Sequence, residues 1–412
     1  MIELVLHDVI CSLSCSLDLV GVTEVHHGKR VALIAAGVAK VLGWEAQAEL
    51  DIFYAGMLHD CGVSSTKEHS RLVSELEWTD VREHCVRGAS YLGECAPFAK
   101  YAHWILHHHE HWARLTRNPT LSEGDKLAAN LIFLADRVDF LQANYINFTY
   151  NDGDILLEKD NIVKKIQTLG ANYFSPVLID AFVAISQKES FWLSMDAYYI
   201  NTSLQEYATL STRKYADFEM LLSIVMLFSK IIDAKSTHTK EHSKFVGLLA
   251  RFLAEKMGFS EEDQQLIELA GMLHDLGKLR VPDSILTKNG ELSAQERSYI
   301  LRHSYDTMHL LKQVFPHTKI AEWAGFHHET LSGTGYPFHL KADEIDLGVR
   351  IMSVADVFQA LVQKRPYRDS LTLNEIKPIM SKMVSQGQLD ELVVRVLERY
   401  QDECYRLVQS VG

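Results

Sequence analysis

Seven histidine and aspartate residues in the second half of the chain are of the types that bind first-row metal ions. Imidazole and carboxylate groups together suit Fe, Mn, Zn or Ni, and no cysteine belongs to the set to favour a softer ion. The set exceeds the needs of one ion, and one aspartate can bridge two ions through its two oxygens. A pair of ions can activate water near neutral pH and stabilise an in-line phosphoryl displacement, which predicts hydrolysis of a phosphate ester. The seven residues are His242, His274, Asp275, His303, His327, His328 and Asp356.

The same ordered set recurs in the first half of the chain. GMLHDCG at 56–62 matches GMLHDLG at 271–277 in six of seven positions, and offsets of 215, 219 and 220 relate the flanking residues. This recurrence predicts duplication of one helical domain and argues against unrelated surface histidines. The counterparts in the first copy are His27, His59, Asp60, His84, His108, His109 and Asp136.

Helices must position these side chains. Eight prolines in 412 residues and apolar residues at helical spacing indicate an all-α protein. Gly258 is placed to end one helix, and Ser260 with Asp263 can cap the next helix, which would deliver His274 and Asp275 at its end. We therefore expect an all-α fold of two tandem helical domains, residues 1–205 and 206–412.

Several motifs in the second half resemble one known family. HHETLSGTGYP at 327–337, HDLGKLRVPDSIL at 274–286, ADVFQAL at 355–361 and RPYR at 365–368 are similar to the HD-GYP cyclic-dinucleotide phosphodiesterases, within the HD metal-dependent phosphohydrolase superfamily. The resemblance implies a helical catalytic domain with two or three divalent ions, commonly Fe or Mn, with Ni, Zn and Mg as alternatives. It implies attack of hydroxide formed at the metals on cyclic di-GMP or 3′3′-cyclic GMP-AMP, which gives a linear dinucleotide or mononucleotide.

The resemblance also implies roles for individual residues, with Asp275 and Lys278 as the catalytic pair. One ion would be held by His242, His274, Asp275 and Asp356. The second ion would share Asp275 and be held by His303, His327 and His328. The substrate would be met by Lys278, by the pocket wall of Gly335, Tyr336 and Pro337, and by Arg365 and Arg368, whose planar groups suit a phosphate or a base.

Three positions depart from the family's pattern. Ser332 and Gln359 stand where the family usually has aspartate. His238 lies four residues before His242, where members that bind three metals have glutamate. His238 could hold a third ion or have no ligand role, so the expected number of ions is two or three.

The first copy keeps the metal-binding residue types but lacks the rest of the motif. Val63 stands at the position of Lys278, and HHEHWARLTRNPTLSE replaces the GYP segment. One interpretation is a divergent domain for regulation or dimerisation, and the other is a second phosphohydrolase with another substrate, such as a linear nucleotide. We favour a metal-capable but catalytically weak regulatory domain beside the catalytic HD-GYP domain.

Composition excludes some classes of partner. The net charge of −13 makes the chain a poor candidate for binding nucleic-acid polymers, which relies on clustered Lys and Arg. We see no membrane span, and six cysteines without a CxxC pair are typical of reduced cysteines in a cytoplasmic protein. We expect a cytoplasmic enzyme, with a homodimer as an open alternative. A general nucleotide phosphohydrolase and a cyclic-dinucleotide receptor without turnover remain the competing functions.

Overall fold

A computed structural model describes residues 2–20, 26–76, 80–148, 155–211, 213–235, 242–363 and 370–409. Helices dominate these residues, so the predicted all-α class is confirmed. The described residues also contain a two-stranded sheet of β1 (Ile2–Val5) and β2 (Arg213–Ala216). Strands of four residues are too short to show a clear alternating pattern, so the sequence did not predict them. The candidate residues His238, Arg365 and Arg368 lie outside the described residues.

The chain divides into two compact units, one of Glu3–Tyr215 and one of Ala216–Gly412 together with Met1–Ile2. The domain limits and roles given above stay predictions. Besides the strands, the N-terminal unit contains α1 (Leu6–Asp18), α2 (His27–Val41), α3 (Ala46–Leu58), α4 (Thr66–Ser74), α5 (Arg82–Gly93), a 3₁₀ turn (Ala99–Tyr101), α6 (Ala102–His107), α7 (Trp112–Leu115), α8 (Glu123–Phe148), α9 (Ile155–Tyr173), α10 (Pro176–Ser186), α11 (Glu189–Leu193) and α12 (Ile200–Ala208).

The C-terminal unit is built from a second series of helices. They are α13 (Phe218–Lys235), α14 (His242–Lys256), α15 (Glu261–Leu273), a 3₁₀ turn (Leu276–Arg280), α16 (Asp283–Leu286), α17 (Ala294–Val314), α18 (Ile320–Gly325), α19 (Leu347–Val362), α20 (Leu373–Ser385), α21 (Glu391–Arg399) and α22 (Gln401–Gln409). The offset of 215 carries α2 onto α14 and α3 onto α15 at both ends, so the sequence repeat is a repeat of helices.

The helix boundary before α15 forms as the sequence predicts. Gly258 adopts a left-handed conformation, with φ of +81°, which glycine accepts without a steric penalty. The hydroxyl of Ser260 then accepts a hydrogen bond from the backbone N–H of Asp263 at 3.1 Å and caps α15. Leu269 and Leu273 are buried on the same helix, and their burial orients its C-terminal end, where His274 follows.

Candidate metal centres

Five elements of the C-terminal unit bring the predicted metal-binding residues together. His242 begins α14, His274 and Asp275 follow α15, and His303 lies within α17. His327 and His328 follow α18, and Asp356 lies on α19. The donor atoms of His242, His274 and Asp356 lie within 4.8 Å of one another, and so do those of His303, His327 and His328. The seven residues therefore form two adjoining groups.

Asp275 lies between these two groups. Its Oδ2 atom is 3.7 Å from His242 Nε2 and 3.5 Å from His274 Nε2, whereas its Oδ1 atom is 3.7 Å from His303 Nε2. On the first side, Asp356 Oδ1 is 3.6 Å from the Nε2 atoms of both His242 and His274. Each carboxylate oxygen of Asp275 thus faces a different group, which is the arrangement that bridging two ions requires.

Backbone carbonyls orient three of the histidine rings. His274 Nδ1 donates to Gly271 O at 2.7 Å, His327 Nδ1 donates to Ala324 O at 2.6 Å, and His303 Nδ1 donates to the carbonyl of Ile300. In each case the carbonyl lies three residues earlier in the chain. A proton on Nδ1 leaves the Nε2 lone pair directed into the cluster, as in metal-binding histidines.

The buried polar atoms of the cluster fit a divalent cation. Among the described residues, His274 Nε2 and Asp275 Oδ1 have no hydrogen-bond partner. Buried polar atoms are nearly always satisfied, so two orphaned lone-pair acceptors side by side call for a positive group between them. The set of imidazoles and carboxylates is also a donor set that first-row divalent ions accept.

The pKa shifts leave most of these residues in the form that binds metal. Burial lowers the pKa of His242 to about 4, that of His303 to about 3 and that of His328 to about 4. Burial alone would raise the pKa of Asp275, but His274 and Lys278 hold it well below its usual value. Neutral imidazoles beside an ionised carboxylate can take up a cation with little loss of protons.

Lys278 and the GYP segment border the C-terminal cluster. Lys278 Nζ is 2.5 Å from Asp275 Oδ2, and its side chain remains about a third exposed. The ring of Tyr336 lies 4.8 Å from that of His328, and Pro337 follows through a cis peptide bond. A Cβ atom on Gly335 would lie 2.5 Å from His328 O, so only glycine lets this segment lie against the histidine pair.

The N-terminal unit repeats this geometry. Asp60 Oδ2 is 3.7 Å from His27 Nε2 and 3.4 Å from His59 Nε2, whereas Asp60 Oδ1 is 3.5 Å from His84 Nε2. His108 Nε2 lies 3.3 Å from His84 Nε2. The remaining pair closes the cluster, since Asp136 Oδ1 is 3.6 Å from His27 Nε2 and Asp136 Oδ2 is 3.8 Å from His109 Nε2. All seven predicted residues of the first copy are therefore brought together.

The surroundings of the N-terminal cluster differ from those of the C-terminal one. Val63 is buried and provides no charge where Lys278 stands in the second copy. Instead the buried guanidinium of Arg137 donates to Asp136 Oδ2 at 2.8 Å. Arg137 also donates to the carbonyl of Leu76 at 2.7 Å, so the backbone holds it in place. In the first copy the guanidinium of Arg137 is therefore fixed beside a carboxylate of the cluster, whereas in the second copy the side chain of Lys278 reaches solvent.

The last glycine of the repeated heptapeptide has a steric reason in both copies. A Cβ atom on Gly62 would lie 2.0 Å from His84 O, and one on Gly277 would lie 2.1 Å from His303 O. Real Cβ atoms do not approach so closely, so any other residue would push the His–Asp turn away from the helix that carries the next histidine.

Comparison with known proteins identifies the family to which this chain belongs. The HD-domain family matches residues 226–393 and again residues 25–141. The 3′3′-cGAMP-specific phosphodiesterase 1 of Vibrio cholerae is 39% identical to this chain over 394 residues, which are 95% of this chain and 91% of that protein. This chain belongs to the HD-GYP family of cyclic-dinucleotide phosphodiesterases. The two tandem HD domains expected from the repeat are thereby confirmed.

Two further proteins resemble this HD-GYP enzyme. A cyclic di-GMP phosphodiesterase of Thermotoga maritima is 33% identical over 202 residues, which are 46% of this chain and 54% of that protein. A crystal structure of a cyclic GMP-AMP-specific phosphodiesterase of V. cholerae, V-cGAP3, has a TM-score of 0.65 and 23% identity, over 97% of this chain and 98% of that one. The structural match shows a shared fold. Among the helices that the structure describes, none has the length and apolarity needed to cross a bilayer.

Two residues of this HD-GYP enzyme support the cluster without having been predicted to do so. Gln359 accepts a buried hydrogen bond from His242 Nδ1, so this departure from the family pattern orients a ring of the cluster. Glu329 is buried and accepts from the N–H groups of Phe338 at 2.6 Å and Leu340 at 3.0 Å, which fixes the chain after GYP. A second departure, Ser332, is exposed, and its Oγ atom lies 2.8 Å from Thr334 Oγ1. The sequence repeat points to Gln359 as a residue of the cluster's surroundings, because the offset of 220 aligns Gln359 with Asp139.

Proposed function

We propose that the C-terminal cluster is the reaction centre and that its substrate is 3′3′-cyclic GMP-AMP. The observation that supports this substrate is the similarity, over 95% of this chain and across both HD domains, to an enzyme named for that dinucleotide. The relative named for cyclic di-GMP aligns with 46% of this chain. Similarity that includes the first HD domain favours the dinucleotide of the two-domain relative.

In this proposal two divalent cations, Fe or Mn, occupy the C-terminal cluster. One ion would be held by His242, His274, Asp275 and Asp356, and the other by Asp275, His303, His327 and His328. The cations, when bound, activate water and neutralise charge on the scissile phosphate. Asp275 would hold both ions, and the backbone carbonyls that orient the histidine rings keep the Nε2 atoms directed into the cluster.

We propose a second role for Lys278 when cations are bound in the C-terminal cluster. Its ammonium group now neutralises Asp275, with Nζ and Oδ2 at 2.5 Å. With Asp275 holding cations, the partly exposed side chain of Lys278 would be available to a phosphate oxygen of the substrate. A charge-assisted hydrogen bond of this kind contributes about 1.5–3 kcal/mol.

The GYP segment shapes one wall of the proposed substrate pocket. Tyr336 is half-buried against His328 and presents an aromatic ring beside the cluster. Gly335 permits this close approach, and the buried carboxylate of Glu329 holds the chain that follows. Roles for Arg365 and Arg368 as phosphate or base contacts stay predictions.

The first experiment compares two dinucleotides on one anaerobic preparation of the full chain. Metals per chain are measured, and initial rates on 3′3′-cyclic GMP-AMP and cyclic di-GMP are determined together with the products. We expect the first dinucleotide to be cleaved with the higher kcat/KM. Preference for cyclic di-GMP would contradict the proposed substrate, and a linear nucleotide as best substrate would favour a general phosphohydrolase.

A matched pair of variants tests which copy is the reaction centre. Asp275→Asn and Asp60→Asn remove the same bridging carboxylate from the two repeats. We expect Asp275→Asn to lose hydrolysis and Asp60→Asn to retain it, with circular dichroism to show that both are folded. Retained hydrolysis in a folded Asp275→Asn protein would place the reaction elsewhere.

The first HD domain is proposed to bind metal and to regulate, not to hydrolyse the dinucleotide. Its cluster has the carboxylate and imidazole groups, but the buried Val63 cannot supply the cation that Lys278 supplies. Arg137 donates to Asp136 and to a backbone carbonyl, so it is held away from an incoming phosphate.

A further inference from the structure

We infer that the N-terminal repeat contains a thiolate-bearing zinc site, formed by His84, Cys85, His108 and His109. The donor atoms of these four residues lie within 4.8 Å of one another. Cys85 is 2% exposed, and its Sγ atom is 3.6 Å from His84 Nε2. Three imidazoles and one thiolate make a full tetrahedral ligand set for Zn²⁺.

The C-terminal repeat has a hydroxyl where the N-terminal repeat has this thiol. The offset of 219 aligns Cys85 with Ser304, which is fully buried and whose Oγ atom lies 3.3 Å from His303 Nε2. In both units the side chain at this position therefore lies beside the second group of histidines. Only the first copy offers sulfur there, and thiolate ligands shift a site from Mn and Fe towards softer ions such as Zn²⁺.

A buried imidazole nitrogen gives independent support for a ligand at this place. The side chain of His109 is 7% exposed, and among the described residues its Nε2 atom has no hydrogen-bond partner. A buried acceptor without a partner is costly, and a bound cation would satisfy it. Asp60 Oδ1 is likewise without a partner among these residues and lies 3.5 Å from His84 Nε2. One orphaned atom thus belongs to an imidazole of the proposed site, and the other lies beside a second imidazole of that site.

One side of the proposed site adjoins a surface cleft. Cys85 and His109 line a surface cleft together with Arg82, Glu110 and Arg114. The thiol of Cys85 now donates to Val81 O at 3.3 Å. Coordination would replace that weak hydrogen bond and release the thiol proton.

The ligand count sets the role of this ion apart from that of the proposed reaction centre. Four protein ligands complete a tetrahedral shell, whereas a catalytic zinc keeps one position open for water or substrate. The thiolate-bearing site would therefore stabilise the first HD domain instead of hydrolysing a phosphate ester. This explains how a repeat can keep His84, His108 and His109 while lacking the lysine that would meet a substrate phosphate.

Cobalt substitution in the full chain tests the inference directly. The protein is stripped of metal and titrated with Co²⁺, and near-ultraviolet absorbance reports any thiolate bound to cobalt. We expect a thiolate-to-cobalt charge-transfer band in the wild type that is lost on addition of Zn²⁺ and is absent from Cys85→Ser. Serine occupies the equivalent buried position in the other repeat, so this variant should fold.

Cys95→Ser is the matched control. Cys95 is a second buried cysteine of the same unit and lies ten residues after Cys85, beyond the end of α5. We expect this variant to keep the band. An unchanged band in Cys85→Ser, or its absence from wild-type protein that has bound cobalt, would overturn the inference. If a variant does not fold, the presence or absence of the band in the wild-type protein still tests the inference.

Thermal unfolding provides a second test of the zinc site that does not involve dinucleotide hydrolysis. We expect Zn²⁺ to raise the Tm of metal-free wild type and Cys95→Ser, since a ligand that binds only the folded state stabilises it. The shift should shrink markedly in Cys85→Ser. An equal Tm shift in all three proteins would exclude Cys85 as a ligand, whichever dinucleotide the enzyme cleaves.

Discussion

His242 donates its Nδ1 hydrogen to the side-chain oxygen of Gln359, and both residues are buried. The first repeat makes the same bond between His27 Nδ1 and Asp139 Oδ2, at 2.7 Å. The two repeats thus orient the same histidine with different acceptors, a neutral amide and a charged carboxylate. Partners of this kind fix the ring and tune its basicity as a metal ligand.

Replacing Gln359 should weaken metal binding at the C-terminal cluster. Gln359→Leu keeps much of the volume but removes the acceptor, so His242 loses the group that fixes its ring. We expect about 10- to 100-fold lower metal affinity, the usual effect of losing such a partner. A chelator titration of the loaded protein measures this, and Gln359→Glu, which restores an acceptor, should retain affinity. Equal affinity in Gln359→Leu and wild type would show that the bond is dispensable.

Removing Lys278 should reduce turnover without removing the ions. Lys278→Met keeps the aliphatic stem and loses the ammonium group that we propose meets a phosphate oxygen. Loss of about 1.5–3 kcal/mol of charge-assisted bonding predicts a fall in kcat/KM of roughly 10- to 150-fold, with metals per chain unchanged. Lys256→Met, at a lysine paired with exposed Glu255, is the control. Loss of metal together with activity would assign Lys278 to support of Asp275 instead.

The repeat made the clusters predictable, whereas side-chain direction did not follow from the sequence. Ordered histidines and aspartates at constant offsets identified both groups, and the Gly258 and Ser260 signals fixed a helix boundary. From the sequence alone, Cys85 is grouped with the other reduced cysteines, although it is adjacent to His84. Adjacent residues on a helix point about 100° apart, so only the fold shows that the thiol turns towards the histidines. Gln359 was noticed as a departure, but its bond to His242 spans 117 residues.

His27 and His242 occupy equivalent positions in the two repeats, and only His27 should release a proton when its repeat binds metal. Burial would lower the pKa of His27, but its bond to Asp139 and the carboxylates of Asp139, Asp136 and Asp60 raise it to about 10. His27 is therefore protonated at pH 7 and must lose a proton before its Nε2 lone pair can bind an ion. The pKa of His242 is lowered to about 4, so its imidazole is already neutral.

The sign of the pH dependence follows from those two values. Affinity at a site that must lose one proton should rise about tenfold per pH unit below the pKa, so the first repeat should bind more tightly as pH rises from 6 to 9. Binding through His242 should hardly change over that range. Calorimetric titration with Mn²⁺ in two buffers of different ionisation enthalpy gives the protons released per ion. Asp139→Asn should lower the proton release of the first repeat, and identical pH dependence in wild type and this variant would contradict the assignment.

Gly277→Ala should disrupt the second ion site through sterics alone. The added Cβ atom would lie 2.1 Å from His303 O, so the His274–Asp275 turn and α17 must separate. Overpacking of a buried contact costs about 1–3 kcal/mol, and here it also moves His303 away from Asp275 Oδ1. We expect a lower Tm and fewer metals per chain. Gly124→Ala is the control, because the nearest atom to its Cβ would be Ser122 Oγ at 3.8 Å and alanine favours helix. Full metal content in a Gly277→Ala protein would show that the turn can shift without opening the site.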